Sequence, residues 1–440
     1  MVTERRTLFA LSSGRPPAAI AVIRISGPRA FAAVALLTGG RLPPPRDPRL
    51  RSLADPADGT VLDKALLLLF PGPDTATGEE LAELHLHGGV AVVAGVLAAL
   101  GRIPGLHPAE PGAFTRRAFE NGVMDLPQVE GLADLLSAET ERQRRQAIAH
   151  ADGHLSRLAE SWRERLLDML ADVEAGLDFA DEGDVASDAD ARVCDAIAAL
   201  AAELGTVLDC PSGERLREGV RLVIAGAPNA GKSSFINILT KRDVAIVTPV
   251  PGTTRDRIEA HLNIGGIPFL ATDTAGLRDT DDLVEREGIA RAYASLADAD
   301  VVISMAGEDG RFETLSTASP LFKVRSRADM TGATPGQDED GVFNISAVTG
   351  AGLAELSAGL VLCAEQLVGH GEILVLANAR QQHVVADCRA ALVHAQGGEG
   401  DPVLMAEHLR QALATLGRLT GRVGVEDMLD ALFGRFCIGK

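Results

Sequence analysis

The chain has 440 residues, room for about two to four domains, and its 46% hydrophobic content excludes a disordered polymer. Against 61 acidic residues stand 42 basic ones, and the net charge of −19 argues against indiscriminate nucleic-acid binding. A local basic patch, or RNA delivered by a basic partner, remains compatible with it.

Five scattered cysteines with no C-x-x-C pair argue against a disulfide framework or a thiolate zinc site and suit a reducing compartment. No apolar run approaches the ~20 residues that span a bilayer. The start MVTERRTLFALSSG lacks a signal-peptide pattern, so the expected location is cytoplasmic.

Residues 1–119 read as a mixed α/β unit. A strand is expected over 18–25, ended by Ser26-Gly27-Pro28, then a short helix over 30–37, the loop RLPPPRDPR, and a second strand over 65–70. Residues 80–87 alternate, with Leu84 and Leu86 on one face and Glu83, His85 and His87 on the other. Two imidazoles on one strand face invite a metal, but no further ligand set stands nearby, and a polar face toward a ligand or another subunit is the simpler expectation. Glu83 on that face is a carboxylate able to accept from a ligand's N–H groups. VAVVAGVLAAL then reads as a helix.

From 120 to 217 the pattern turns helical. Leu155, Leu158, Trp162, Leu166, Leu170, Val173 and Leu177 make one buried stripe, and Arg157, Arg163 and Arg165 make a solvated face. Helices over 190–208, 378–396 and 402–419 flank a different kind of segment, which implies an inserted domain.

That segment opens with the apolar Leu222, Val223 and Ile224, then Gly226-Ala227-Pro228-Asn229-Ala230-Gly231-Lys232-Ser233-Ser234, which fits G-x-x-x-x-G-K-[ST] between a strand and a helix. Glycines let backbone N–H groups curl around phosphate oxygens, Lys232 adds a point charge, and Ser233 offers a hydroxyl to Mg²⁺. Asp273-Thr274-Ala275-Gly276 follows an apolar run, where an Asp holds Mg²⁺ through water and a Gly N–H meets the γ-phosphate. Between them, Gly252-Thr253-Thr254 sits where a switch loop completes the Mg²⁺ shell. These three elements in order imply a GTPase. Ser326-Arg327-Ala328-Asp329 stands where N-K-x-D is expected; Asp329 can pair with guanine N1 and N2 hydrogens, and Ser346-Ala347 fits the last base-side loop. Leu277 occupies the place of a Ras-type Gln, so water must be oriented differently.

Asn229, the stretch AIVTPVPGTTRD, DTAGLR, the terminal Cys437-Ile438-Gly439-Lys440 and the segments IRISGP, FPGP, TGEE, HGG and FTRRAF together resemble the MnmE (TrmE) family of tRNA-uridine-modification GTPases over the whole chain. The resemblance implies a multidomain α/β plus all-α protein. Its parts would be an N-terminal α/β dimerisation and folate-binding domain (1–119), a helical domain in two parts (120–217 and 377–440, the latter with the CIGK terminus) and an inserted Ras-like P-loop G domain (218–376).

By the same resemblance Asn229, Thr248, Val250 and Thr253 hold K⁺ at the arginine-finger position, with Pro249 and Pro251 in the same nucleotide-facing loop, and Ser233 and Thr254 bind Mg²⁺. Glu285 orients the attacking water; by itself it would read as a surface helix residue. Arg24, Glu83 and Lys440 would hold a 5-formyltetrahydrofolate-like one-carbon donor, with Cys437 implicated in the modification chemistry, although a cysteine in an amphipathic C-terminal helix is usually buried and inert. The implied partners are a second copy of the chain, MnmG with its FAD in an α2β2 assembly, and tRNA bound through that complex.

Three segments depart from the family pattern: Val123 replaces a Lys near the donor, Ala113 a Glu, and Ser326-Arg327 an Asn-Lys. Two rival readings are an Era-like ribosome-assembly switch, which would need a basic RNA-binding module, and a folate-binding protein whose GTPase is vestigial.

Overall fold

The structure, a computed structural model, describes residues 6–178, 186–211, 213–227, 229–242, 259–273, 295–307, 309–371, 373–397, 401–423, 426–434 and 436–440. It divides into two compact units, one of residues 1–133 with 420–440 and the other of residues 134–419.

The first unit is built on a six-stranded sheet. Its elements are β1 (Thr7–Leu11), β2 (Ile20–Ser26), α1 (Ala30–Leu37), β3 (Arg49–Ala54), β4 (Val61–Phe70), β5 (Leu81–His87), α2 (Val90–Gly101), β6 (Leu106–Pro108), α3 (Ala113–Glu120) and the start of α4 (Leu126–Ser137). The strand order is β3-β4-β5-β2-β1-β6. The alternation of β5 does what its period dictates: Leu84 and Leu86 are buried with Ile23, Ile25 and Leu67, while Glu83 and His85 stay partly exposed on the opposite face. β1 and β3, which the sequence reading did not anticipate, extend the sheet on its two sides.

Residues 420–440 belong to this unit. The helix Glu426–Phe433 packs Phe433 on Phe119, ring centroids 6.4 Å apart, and Phe436 joins the same cluster with Val129. The helix ends at Phe433, before Cys437, which is exposed, so the general rule for a cysteine within an amphipathic helix does not apply to it. Ile438 bridges Pro111, and the Phe114 N–H donates to the Lys440 oxygen at 3.1 Å. This seating requires glycine at 439. Its φ is 96°, and an added Cβ would lie 2.1 Å from the Leu11 carbonyl oxygen.

The second unit contains two cores. A helical core is formed by α6 (His154–Asp178), α7 (Ala186–Asp209), α12 (Ala379–Gly397) and α13 (Pro402–Thr420), numbering the helices in chain order. Trp162 is buried in it and donates its indole N–H to Glu203 at 2.7 Å. Arg163 and Arg165 pair with Glu160 and Glu203 on the solvated side.

The other core is a seven-stranded sheet with order β12-β13-β11-β10-β7-β9-β8, covered by helices. Its strands are β7 (Val220–Gly226), β8 (Glu259–Ile264), β9 (Ile267–Asp273), β10 (Val301–Met305), β11 (Leu321–Arg325), β12 (Gly336–Gln337) and β13 (Phe343–Asn344). Its helices include α8 (Gly213–Glu218), α9 (Lys232–Arg242) and α11 (Leu353–Val368). β7 runs parallel to β9 and β10, β10 to β11, and β11 to β13, so their carboxyl ends open on one edge. The helix α5 (Glu141–Ala151) joins the two cores. Gln146 exchanges both hydrogen bonds with Leu374, donating at 2.6 Å and accepting at 2.9 Å, and Gln143 donates to the Arg217 carbonyl.

Replacing Gly439 by Ala is expected to cost about 1–3 kcal/mol locally, because the side chain meets a carbonyl at a positive φ. Carboxypeptidase should then release the last residues of the variant faster than those of wild type; equal rates would contradict this seating.

Candidate functional site

The nucleotide site begins where β7 turns at Gly226, whose φ is 146° and whose added Cβ would stand 2.4 Å from the Met305 carbonyl oxygen. Only glycine lets β7 and β10 stay this close while the chain turns. Asn229 carries φ 65°, a left-handed conformation that Asn tolerates better than most side chains, and Gly231 follows at φ 93°. The Ala230 N–H closes a turn on the Ala227 carbonyl at 3.2 Å, and α9 starts at Lys232.

Lys232 is 8% exposed, and its ammonium donates to the carbonyls of Gly226 (2.7 Å) and Ala227 (3.1 Å). Burying a charge is costly unless it is hydrogen-bonded, and these carbonyls hold it within the loop. Ser233 and Ser234 are exposed on the first turn of α9. The glycine-shaped turn and the buried ammonium fit a polyphosphate.

β9 pairs Asp273 with Ile224 of β7, which brings the D-x-x-G strand end beside the phosphate loop. The Asp273 side chain, with Thr248, Pro249, Val250, Pro251, Gly252, Thr253, Thr254, Thr274, Ala275, Gly276 and Glu285, lies outside the described residues.

The loops expected to face the base meet the phosphate loop directly. Ser326 Oγ donates to the Ala230 carbonyl at 3.0 Å, and Arg327, at φ 63°, reaches the Asn229 carbonyl at 3.5 Å. The Ala328 N–H donates to the Ile345 carbonyl, joining this loop to the next one. There Ser346 is fully buried and its Oγ accepts from the N–H groups of Val348 and Thr349, with Ala347 between them. A cavity of about 260 Å³ is bordered by Asn229, Ala230, Ser326 and Arg327. Asp329 is exposed in the short helix α10 (Ala328–Thr331) that follows Arg327. Ser326 therefore ties the base loop to the phosphate loop, a contact that the sequence pattern alone did not reveal.

The second predicted cluster is assembled within the first unit. Arg24 on β2 stands opposite Glu83 on β5, and its Nη2 and Nε both reach Oε1, at 2.9 and 3.2 Å. His85 Nε2 lies 3.3 Å from Oε2. The Arg24 guanidinium lies 5.8 Å from the centroid of the Phe114 ring, and Phe114 is the residue whose N–H holds the Lys440 oxygen. Arg24, Glu83 and Lys440, far apart in sequence, are thus linked through Phe114, which the sequence reading did not single out. Below this row, Glu79 pairs with Arg117 at 2.7 Å and Ser26 bonds Thr77 at 2.7 Å, a buried polar network. Val123 is 41% exposed, beside Gly78.

Two features raised as metal ligands are otherwise engaged. His85 faces Glu83, and His87 bonds Asp63 at 2.7 Å. Among the cysteines, burial pushes Cys388 up to about 12 and also raises Cys363, so both are protonated at neutral pH, whereas Cys437 is exposed.

Family models match both parts of the chain: the GTP-binding protein TrmE N-terminus over residues 7–123 and the MnmE helical domain over residues 126–437. The chain belongs to the MnmE family.

A tRNA modification GTPase MnmE of Methylobacterium radiotolerans is 51% identical over 450 aligned positions, covering 100% of both chains. That of Azorhizobium caulinodans is 50% identical, also with 100% coverage of both, and that of Rhodopseudomonas palustris is 44% identical with 99% of both covered. Among solved structures, the G domain of the T. maritima FeoB iron transporter matches 33% of this chain and 98% of its own at 26% identity, with a TM-score of 0.25. No described helix is long and apolar enough to cross a membrane.

Asp329→Ala is expected to lower GTP affinity about a hundredfold, because the expected guanine-pairing role of Asp329 assigns it two charge-assisted hydrogen bonds to the base. ATP affinity should stay unchanged. Titration with fluorescent analogues of both nucleotides checks this.

Proposed function

We propose that this chain is a GTPase that acts with MnmG on C5 of the wobble uridine of certain tRNAs, stimulated by K⁺ and activated when two G domains dimerise. The observation that carries the reading is the phosphate loop at the carboxyl end of β7, with its buried Lys232, in a chain of this family. Lys232 is the group to meet the β/γ-phosphates once it leaves the loop carbonyls, and Asp329 reads the guanine edge.

Mg²⁺ would be held by Ser233 and Thr254, and K⁺ by Asn229, Thr248, Val250 and Thr253. The K⁺ ion would supply the positive charge that an arginine finger provides elsewhere, an effect of roughly 10³–10⁵ in rate. The left-handed backbone at Asn229 presents that side chain on the exposed side of the loop, which suits such a role. Glu285 would orient water.

The segment 1–119 would bind the one-carbon donor and dimerise, 120–217 and 377–440 would form the helical domain, although residues 120–133 and 420–440 lie in the first compact unit, and 218–376 would be the G domain that opens and closes. Arg24, Glu83 and Lys440 would hold a 5-formyltetrahydrofolate-like donor, and exposed Cys437 would stand beside it. The strongly acidic chain would leave most phosphate contacts of the tRNA to MnmG, in the cytoplasm.

Nucleoside analysis by mass spectrometry of tRNA incubated with the chain, MnmG with its FAD in the reduced state, GTP, K⁺, Mg²⁺, the donor and an amine (glycine or ammonium) tests this. A C5-modified wobble uridine that requires this chain and GTP is expected; unmodified tRNA in the complete mixture would overturn the reading.

A further inference from the structure

We propose that α5 is the strut that carries the orientation of the nucleotide core into the helical core, with Gln146 as its positioning residue. The inference rests on the reading of this chain as a GTP-driven tRNA-modifying enzyme and names the element that couples the two activities.

The chain enters the nucleotide core through α8 and leaves it after α11, and these two connections are bonded to each other. The Gly213 N–H donates to the Leu376 carbonyl at 3.1 Å, and an added Cβ at 213 would lie 2.7 Å from that oxygen. A stem of this kind alone would let the core swivel. α5 restrains it on several sides. At the entry, Gln143 Nε2 donates to the Arg217 carbonyl at 3.1 Å. At the exit, Gln146 meets both backbone polar groups of Leu374. Arg142 donates to Glu365 of α11 at 2.7 Å and to the Gly369 carbonyl at 3.3 Å. Just before α5, Glu139 Oε2 lies 3.3 Å from Nδ1 of His261 on β8. β8 pairs with β9, and β9 carries Asp273 to the side of the phosphate loop. Bonded elements thus run without a break from the nucleotide site to α5, the kind of network through which coupling travels.

At its other end α5 passes straight into the helical core. A capping box of Thr140 and Gln143 fixes its start. Asp152 and Gly153, the latter at φ 80°, turn the chain into α6, whose Arg157 donates back to the Asp152 carbonyl at 2.7 Å. α6 then supplies Leu155, Trp162 and Leu166 to the helical core.

Gln146 makes the most enclosed of these attachments. It is 8% exposed, whereas Arg142 and Glu365 are each 22% exposed and His261 is 52% exposed, so water competes far more with the ion pairs. The side-chain amide supplies a donor and an acceptor together, as the two groups of Leu374 require. Buried His150 brings Nε2 within 2.9 Å of the same carbonyl but serves that oxygen alone. Loss of the Gln146 amide therefore leaves the Leu374 N–H unmade and loosens the exit from α5.

The test compares wild type with Gln146→Met, which removes the amide at nearly constant length. GTP turnover in K⁺ is measured beside wobble-uridine modification in the complete mixture with MnmG, reduced FAD, Mg²⁺, donor and amine. Turnover within about twofold of wild type is expected, with modification per GTP hydrolysed lower by about tenfold, a usual size for coupling between sites. Hydrogen exchange with and without GDP and aluminium fluoride should change in α5 and residues 373–376 of wild type, and only in the nucleotide core of the variant. Melting curves show whether the variant is folded; if it is not, Arg142→Gln, which releases Glu365 and the Gly369 carbonyl, takes its place with the same expectation. Modification per GTP equal to wild type, or turnover that falls in step with modification, would overturn the role of α5 and leave the proposed function standing. A wild-type chain that hydrolyses GTP yet modifies no tRNA in the complete mixture would overturn the proposed function and this inference with it.

Discussion

The nucleotide half of the molecule depends on how the chain leaves β7 at Gly226. A side chain there would strike the Met305 carbonyl, so the close approach of β7 and β10 and the turn into the phosphate loop stand or fall together. From that turn follow the buried ammonium of Lys232, the left-handed Asn229 and the start of α9. Because β9, β10 and β11 run parallel with β7, their loops open at the same sheet edge, where open α/β sheets bind ligands. One glycine with φ 146° thus fixes a site built from segments about a hundred residues apart.

A comparable constraint acts in the first unit. Gly439 seats the terminal residues against Leu11, and the Lys440 oxygen then caps the Phe114 N–H above Arg24. The last four residues of the chain so become part of the wall of a cluster whose charged members sit on β2 and β5. Both sites use glycine in the same physical way, to admit a backbone approach that any Cβ would forbid.

Much of this was legible in the sequence where local pattern decides. The alternation of residues 80–87 placed Glu83 and His85 on the polar face of β5, and the strand–loop–helix context of the phosphate loop located Lys232 and Ser233. What was not legible depends on tertiary partners. β1 and β3 are five and six residues long and carry weak patterns, so only their pairing with β2 and β4 makes them strands. The rule for helical cysteines does not apply to the exposed Cys437 because Phe433 ends the helix. Ser326, where the family pattern has Asn, still grips the phosphate loop through Ala230, a contact between residues 96 positions apart. No sequence period reports such a bond. Thr248 to Thr254 and Glu285 lie outside the described residues, and their roles follow from the resemblance to the family.

The proposed engine of the protein is cation-assisted GTP hydrolysis by paired G domains. The most direct measurement is steady-state GTP turnover by the purified chain in K⁺ and in Na⁺, over a range of protein concentrations. Turnover per molecule that is higher in K⁺ and rises with concentration is predicted. Turnover indifferent to both the cation and the concentration would contradict it.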